Sequence, residues 1–450
     1  MSINFNTQKN NVILLLCFFV GVVILSDTSR GYFRYIGFLP LCHGFIQLFK
    51  PNRQLNTAER VIRILYLIRN VVTSYLMYLT GYTMEIFLVR SVADFQLAIF
   101  LMIFETLCVF YFLKKRKLVA INLGAKREFS LTNSRKLNCV FWFGALIMVI
   151  IYFIVPQTHD VFMPIYEQGA ALMLGVTNED VGGKGTLGRL LFTLFTILFG
   201  FYRLMIPVYF MVAIKKFVKS LFLGVFLCII LILLQFFFVT ERTMSTLINL
   251  LVLGIFLLKL YPQQKKSLTL LFSFIGILVL LSFIAMKANE DNTTSLLSNN
   301  QTLSFMLQAY LPGVANMQGV FRMPQWQINY LLSDIYSMIP FRNSLLGLDF
   351  GPNTTDLYRE YNDAGGQILP LVGQSYFHFG IFAPILSVFL TRIASKYFEL
   401  SYVAKNYIYY VYYVDLAIFA AMTPCMYYFG IFGSSFLTSI ILIYFFAKLI

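Results

Sequence analysis

LFLGVFLCIILILLQFFFVTERTMSTLINLLVLGIFLLKL, residues 221–260, holds two apolar runs separated only by Thr240, Glu241, Arg242 and Thr243. Each run is about 20 residues long, enough to cross the hydrocarbon core of a bilayer. Two such runs joined by so short a turn describe a transmembrane hairpin. The rest of the chain agrees. Of its 450 residues 59% are hydrophobic and 12% charged, against about 25% charged in soluble domains.

The expected fold is therefore an all-α polytopic membrane protein, one integral domain over 1–450. Apolar runs place about twelve spans, at 11–27, 32–49, 62–82, 94–113, 139–156, 190–213, 220–239, 243–260, 267–286, 371–391, 406–424 and 429–447. The second contains Pro40 and His43 and also admits a re-entrant segment. Leu187 to Phe217 is long for one span and admits an interfacial helix joined to a crossing helix. Lys9 followed by the apolar run Val12–Leu25 resembles a signal peptide. No small-x-small cleavage site follows, so a retained first span is expected.

The net charge of +15 is spread over short loops rather than gathered on a face or tail. That excludes a nucleic-acid footprint and reads as a topology signal. With a cytoplasmic N-terminus, inside loops and their edges hold 23 of the 35 basic residues, including KKRK at 114–117. Both termini are then cytoplasmic. The Glu241–Arg242 turn and the long connection 288–370 become extracytoplasmic. Cys17, Cys42, Cys108, Cys139, Cys228 and Cys425 lie in or beside apolar runs without a CxxC pair. They suggest neither a zinc site nor a disulfide framework.

The connection 288–370 contains SFMLQAYLPGV, WQINYLLSDIYSMIPF and QILPLVGQSYF, patterns of short amphipathic helices folded back onto the membrane face. A connection of this length is usually functional. It carries seven acids (Glu290, Asp291, Asp334, Asp349, Asp356, Glu360, Asp363), three arginines (Arg322, Arg342, Arg359) and no lysine. A guanidinium grips phosphate oxygens in bidentate fashion. The arginines point to an anionic lipid-linked ligand or, more plainly, to pairing with the loop's own acids.

Arg242 opens the helix that continues as TMSTLINLL. There its charge and the free N–H groups of the helix start both favour an anion. Glu241 beside it offers the alternative of local neutralisation. Arg203 lies inside FGFYRLMIPVYF, where an arginine at a helix centre costs about 2.5–3.5 kcal/mol and calls for a partner or a wet cavity. Arg69, nearer the inner edge, reads as snorkelling to the surface.

His378, in GQSYFHFG, is either a proton carrier or a packed ring. His159 is weaker, and the three histidines form no metal-ligand pattern. Tyr310, Trp326, Tyr330, Tyr336 and Tyr358 in the loop are suited to stacking on sugars. Asn-x-Thr triplets at Asn292, Asn300 and Asn353 match the glycosylation acceptor pattern, and in a bacterial chain read as chance.

Three stretches carry a family resemblance: VTERTMSTLINLL (239–251), YSMIPFRNSLLG (336–347) and GGQILPLVGQSYFHFGIFAP (365–384). With the late large outer loop, these resemble the Wzy-type polymerases, which join O-antigen and capsule repeat units in bacteria. The resemblance covers roughly 190–390. Gln374 departs from it, at a position often acidic in that family.

The resemblance implies transfer of an oligosaccharide chain from undecaprenyl diphosphate to a new lipid-linked repeat unit, at the outer face of the cytoplasmic membrane. It implies no metal or other cofactor. Arg242, Arg322 and Arg342 would hold the diphosphate, with Arg359 and Arg203 behind them. His378 would be the base, with Asp334 or Glu360 as alternatives. Membrane lipid and the flippase and chain-length regulators of the same pathway are the expected partners. A flippase, an O-antigen ligase and a membrane acyltransferase are the competing readings. A flippase would carry short loops and repeated halves, neither of which is visible here.

Overall fold

The computed structural model describes residues 5–48, 55–80, 91–115, 135–162, 186–218, 220–238, 243–264, 266–271, 311–339, 350–362 and 369–426, with scattered positions at 274, 301–308 and 430–441. Regular structure among the described residues is helical. The first half comprises α1 (Phe5–Ser26), α2 (Phe38–Gln47), α3 (Thr57–Leu67), α4 (Thr73–Thr80), α5 (Val92–Lys115) and α6 (Arg135–Ile154). Next come α7 (Thr186–Phe217), α8 (Leu221–Phe238) and α9 (Thr243–Leu260). The long connection contributes α10 (Val314–Val320), α11 (Ile328–Ser337) and α12 (Thr354–Asn362). The chain then forms α13 (Leu371–Phe379), α14 (Ile385–Tyr402) and α15 (Tyr407–Met426).

Among the described residues three helices are long and apolar enough to cross a membrane: Val92–Lys115, Leu190–Phe217 and Tyr407–Met426. A fourth is added if the bent pair Leu371–Phe382 and Ile385–Tyr402 is one span. Shorter apolar helices occur at Val12–Ser26, Asn138–Ile154, Leu221–Gln235 and Thr246–Leu260. The expected spans at 267–286 and 429–447 fall largely outside the described residues.

The centre of the molecule is α15. Its sequence is apolar nearly all round, as suits a helix inside a protein core or a bilayer. It packs on α14, α9 and α3. Ala417, Ala420 and Ala421 are completely buried, since small side chains let neighbouring backbones approach where lipid offers no hydrophobic drive. α8 shows the opposite behaviour: Phe222 and Phe226 are 80% and 50% exposed, as suits a lipid-facing surface.

Three expectations need correction. Residues 32–49 do not form one helix: a 3-10 segment, Thr28–Gly37, precedes the ten-residue α2. The expected span 62–82 stays helical through residue 80, with a π-turn at Ile68–Val72 inside it. The stretch from Leu187 to Phe217 is one continuous helix, not two. Residues 371–391 do not cross straight. The chain turns by 115° between α13 and α14, at Gly380, whose φ of 56° favours glycine.

Arg69 does not snorkel. It sits on the π-turn with its side chain 0% exposed, and its Nη2 lies 2.5 Å from Glu105 Oε2 on α5. Ser387 of α14 donates to the other carboxylate oxygen of Glu105 at 2.5 Å. Nη1 of Arg69 donates to the Pro424 carbonyl at 3.2 Å, in the last turn of α15. One guanidinium thus ties α15 to the Glu105 carboxylate of α5. It also lies over the Tyr66 ring, 4.5 Å from its centroid. π-turns inside helices often mark such sites.

Candidate functional site

The long connection does not simply lie on a surface. All seven residues of α10 are buried, packed on α5, α12 and α13. α11 and α12 pack on each other. Their contact places Asp334 of α11 opposite the start of α12.

Asp334 and His378, 44 residues apart, meet there. His378 Nε2 lies 2.7 Å from Asp334 Oδ2, and the two side chains are 2% and 6% exposed. Gln374 precedes His378 by four residues, so both project from the same face of α13. Its Nε2 donates to Asp334 Oδ2 at 2.7 Å. The Thr354 hydroxyl donates to the same oxygen at 2.5 Å and lies 3.0 Å from His378 Nε2. The Thr354 backbone N–H donates to Oδ1 at 2.8 Å. That N–H belongs to the unsatisfied first turn of α12, where a carboxylate is favoured. Asn353 caps the same helix, accepting from the N–H groups of Thr355 and Asp356 at 2.9 and 3.1 Å. The Asn353 triplet thus reads as helix-start chemistry.

The fifth member is Trp326, just before α11. Its indole Nε1 lies 3.2 Å from His378 Nδ1. An indole N–H only donates, so Nδ1 carries no proton. The imidazole proton is therefore on Nε2, directed at Asp334. This is the arrangement in which a carboxylate orients a histidine and leaves the far nitrogen basic. The indole, with Trp326 46% exposed, occupies that basic nitrogen.

These roles sharpen the candidates. Asp334 accepts from Thr354 and Gln374 and meets His378, the geometry of an orienting group. Glu360 is exposed on α12 and makes no hydrogen bond or ion pair among the described residues, so it is not part of the cluster. A carboxylate at the Gln374 position would face Asp334; the amide supplies a donor instead. Sequence reading did not single out Thr354. Its signal was present in Asn-Thr-Thr-Asp at 353–356, a helix-start pattern.

The candidate arginines separate. Arg242 and Arg342 lie outside the described residues. Arg322 follows α10, half-buried, near Tyr358. Burial pushes the Tyr358 phenol up, and the Arg322 charge partly opposes this. Arg359 is exposed on α12. Arg203 of α7 donates from Nε to Gln235 Oε1 at 3.1 Å and from Nη2 to Thr246 Oγ1 at 3.3 Å. Asn249 also donates to Gln235 Oε1, at 2.9 Å. Arg203 is thus tied to polar groups of α8 and α9, the two helices joined by the Arg242 turn. Among the described residues no group of three or more His, Cys, Asp or Glu is placed to hold a metal ion.

No protein-family model, curated protein or solved structure matches the chain.

The Trp326–His378 bond has a direct optical test. The chain has two tryptophans, so a Trp142→Phe variant reports on Trp326 alone. Adding His378→Phe removes the acceptor and must break the indole bond. Trp326 emission is expected to shift in that double variant. Unchanged emission would show that the bond does not govern the signal.

Proposed function

We propose that this protein is a membrane glycosyl-transfer enzyme. It joins undecaprenyl-diphosphate-linked oligosaccharide repeat units into a surface polysaccharide at the outer face of the bacterial cytoplasmic membrane. The observation that carries the reading is the oriented Asp334–His378 pair, set where the long connection packs into an apolar helical body. The resemblance of residues 239–251, 336–347 and 365–384 to Wzy-type polymerases supports it.

In this reading the acceptor hydroxyl displaces the Trp326 indole and meets His378 Nδ1. The hydroxyl oxygen bonds to the anomeric carbon of the donor chain as its proton passes to Nδ1. The bond from that carbon to the diphosphate oxygen breaks, and negative charge collects on the leaving diphosphate. Asp334 stabilises the resulting imidazolium. Positioned guanidinium groups stabilise the diphosphate; Arg242, Arg322 and Arg342 are assigned this task, with Arg203 and Arg359 as outer contributors.

Loss of the gene tests the reaction class. A polymerase leaves single repeat units on the lipid carrier at the outer face, whereas a flippase leaves them inside. An O-antigen ligase leaves full-length chains on the carrier. Arg242→Ala is expected to abolish long chains and Arg242→Lys to leave only a remnant, because a lysine lacks the bidentate fork. Full-length chains from both variants would remove Arg242 from the mechanism. Labelling of introduced cysteines at 242 and within 288–370 from outside the membrane checks the topology on which the assignment rests.

A further inference from the structure

A second feature lies on the first half of the chain. The 3-10 segment Thr28–Gly37 and the start of α2 face α5 across a groove of about 290 Å³, lined by Tyr35, Phe38, Gln96, Ile99, Phe100 and Ile103. Tyr35 and Phe38 stack to form one wall, with centroids 6.2 Å apart. Phe100 and Phe104 stack along α5. Phe38 and Phe100 are 43% and 54% exposed, and α5 is one of the helices apolar enough to span a membrane. The groove therefore opens sideways, toward lipid.

Two arginines of the 3-10 segment are in different states. Arg30 is neutralised by Asp27, 3.8 Å away. Arg34 lies over the Tyr35 ring, 5.7 Å from its centroid, and makes no hydrogen bond or ion pair among the described residues. Gln96, exposed near the first turn of α5, likewise makes no hydrogen bond among the described residues. A cation thus lies against one lining ring, Tyr35, and a polar side chain, Gln96, belongs to the lining itself.

We propose that this groove binds an anionic glycerophospholipid, with the phosphate on Arg34 and Gln96 and one acyl chain between the Tyr35–Phe38 wall and α5. Charge and size select this occupant. One guanidinium matches a phosphodiester, whereas a diphosphate calls for several cations. The volume lies at the low end of ligand pockets, about 300–1,000 Å³, and suits a length of one chain rather than a long polyprenol. Tyr35, Ile99 and Ile103 pack in the same apolar cluster as Val320, Tyr358, Val372 and Phe377. A lipid in the groove would therefore brace the elements that carry His378. The site does not depend on the glycosyl-transfer reading.

The test uses the full-length protein in nanodiscs of phosphatidylcholine containing a minor fraction of phosphatidylglycerol. Lipid retained after detergent extraction is identified by native mass spectrometry. Wild type and Arg34→Lys are expected to retain phosphatidylglycerol in preference to phosphatidylcholine. Arg34→Gln should retain about fivefold less, the change expected for one basic group at an anionic surface. Arg34 is not buried, so the variants should fold, which gel filtration checks. Equal retention in all three proteins, or no preference over phosphatidylcholine, would overturn the site. Displacement of phosphatidylglycerol by equimolar undecaprenyl phosphate, dependent on Arg34, would reassign it to the carrier lipid and overturn the choice of occupant.

Discussion

A His378→Gln chain is expected to make repeat units that stay single, with long polysaccharide reduced by about 10²–10⁴-fold, the usual contribution of a positioned acid–base group. The side chain is nearly enclosed, and glutamine keeps polar atoms that can still meet Asp334 and Trp326. The fold should survive while the basic nitrogen is lost. Asp334→Asn should fall nearly as far for a different reason. The amide removes the negative charge that stabilises the imidazolium, and it can donate toward Nε2, favouring the tautomer with its proton on Nδ1. Trp326→Phe should keep polymerisation, because only the indole that blocks Nδ1 is removed. Gel separation of surface polysaccharide, normalised to folded protein in the membrane, reads all three. A full ladder of chain lengths from His378→Gln would end the assignment of this ring as base.

Arg69→Ala should be the most damaging single change to the fold, costing about 3–5 kcal/mol, as expected when one partner of a buried ion pair is deleted. Glu105 would keep its charge in an apolar interior, with Ser387 as its remaining donor, and the Pro424 carbonyl would lose the hydrogen bond from the guanidinium. Natural domains are stable by only about 5–15 kcal/mol, so much of the chain should fail to accumulate. Replacing both members, as Arg69→Met with Glu105→Leu, should recover most of the loss, because no charge is then stranded. Thermal unfolding in detergent, followed by fluorescence-detected gel filtration, distinguishes the cases. Equal loss in the double variant would mean that the pair does more than neutralise itself.

The two predictions rest on contacts of different legibility. Arg69 and Glu105 are 36 residues apart, and Pro424 is a further 319 along the chain. Hydropathy assigns each to an apolar run but does not say which runs touch. Read alone, the apolar run around Arg69 is compatible with snorkelling and does not point to Glu105. His378 stands out locally as a histidine among aromatics, with Gln374 one helical turn earlier. Their shared partner, Asp334, is set only by the packing of α11, α12 and α13.

Local chemistry settled what could be read locally. Composition and the length of the apolar runs determine a helical membrane protein, because a bilayer leaves backbone groups no partners except one another. Turn and cap residues such as Asn353 and Gly380 mark where helices start and bend. The tertiary structure decided which polar side chains face each other: Arg69 with Glu105, and Asp334 with His378 and Trp326. A charge buried in an apolar interior is stable only beside its partner, and that partner is chosen by packing over long separations in the chain rather than by the residues next to it.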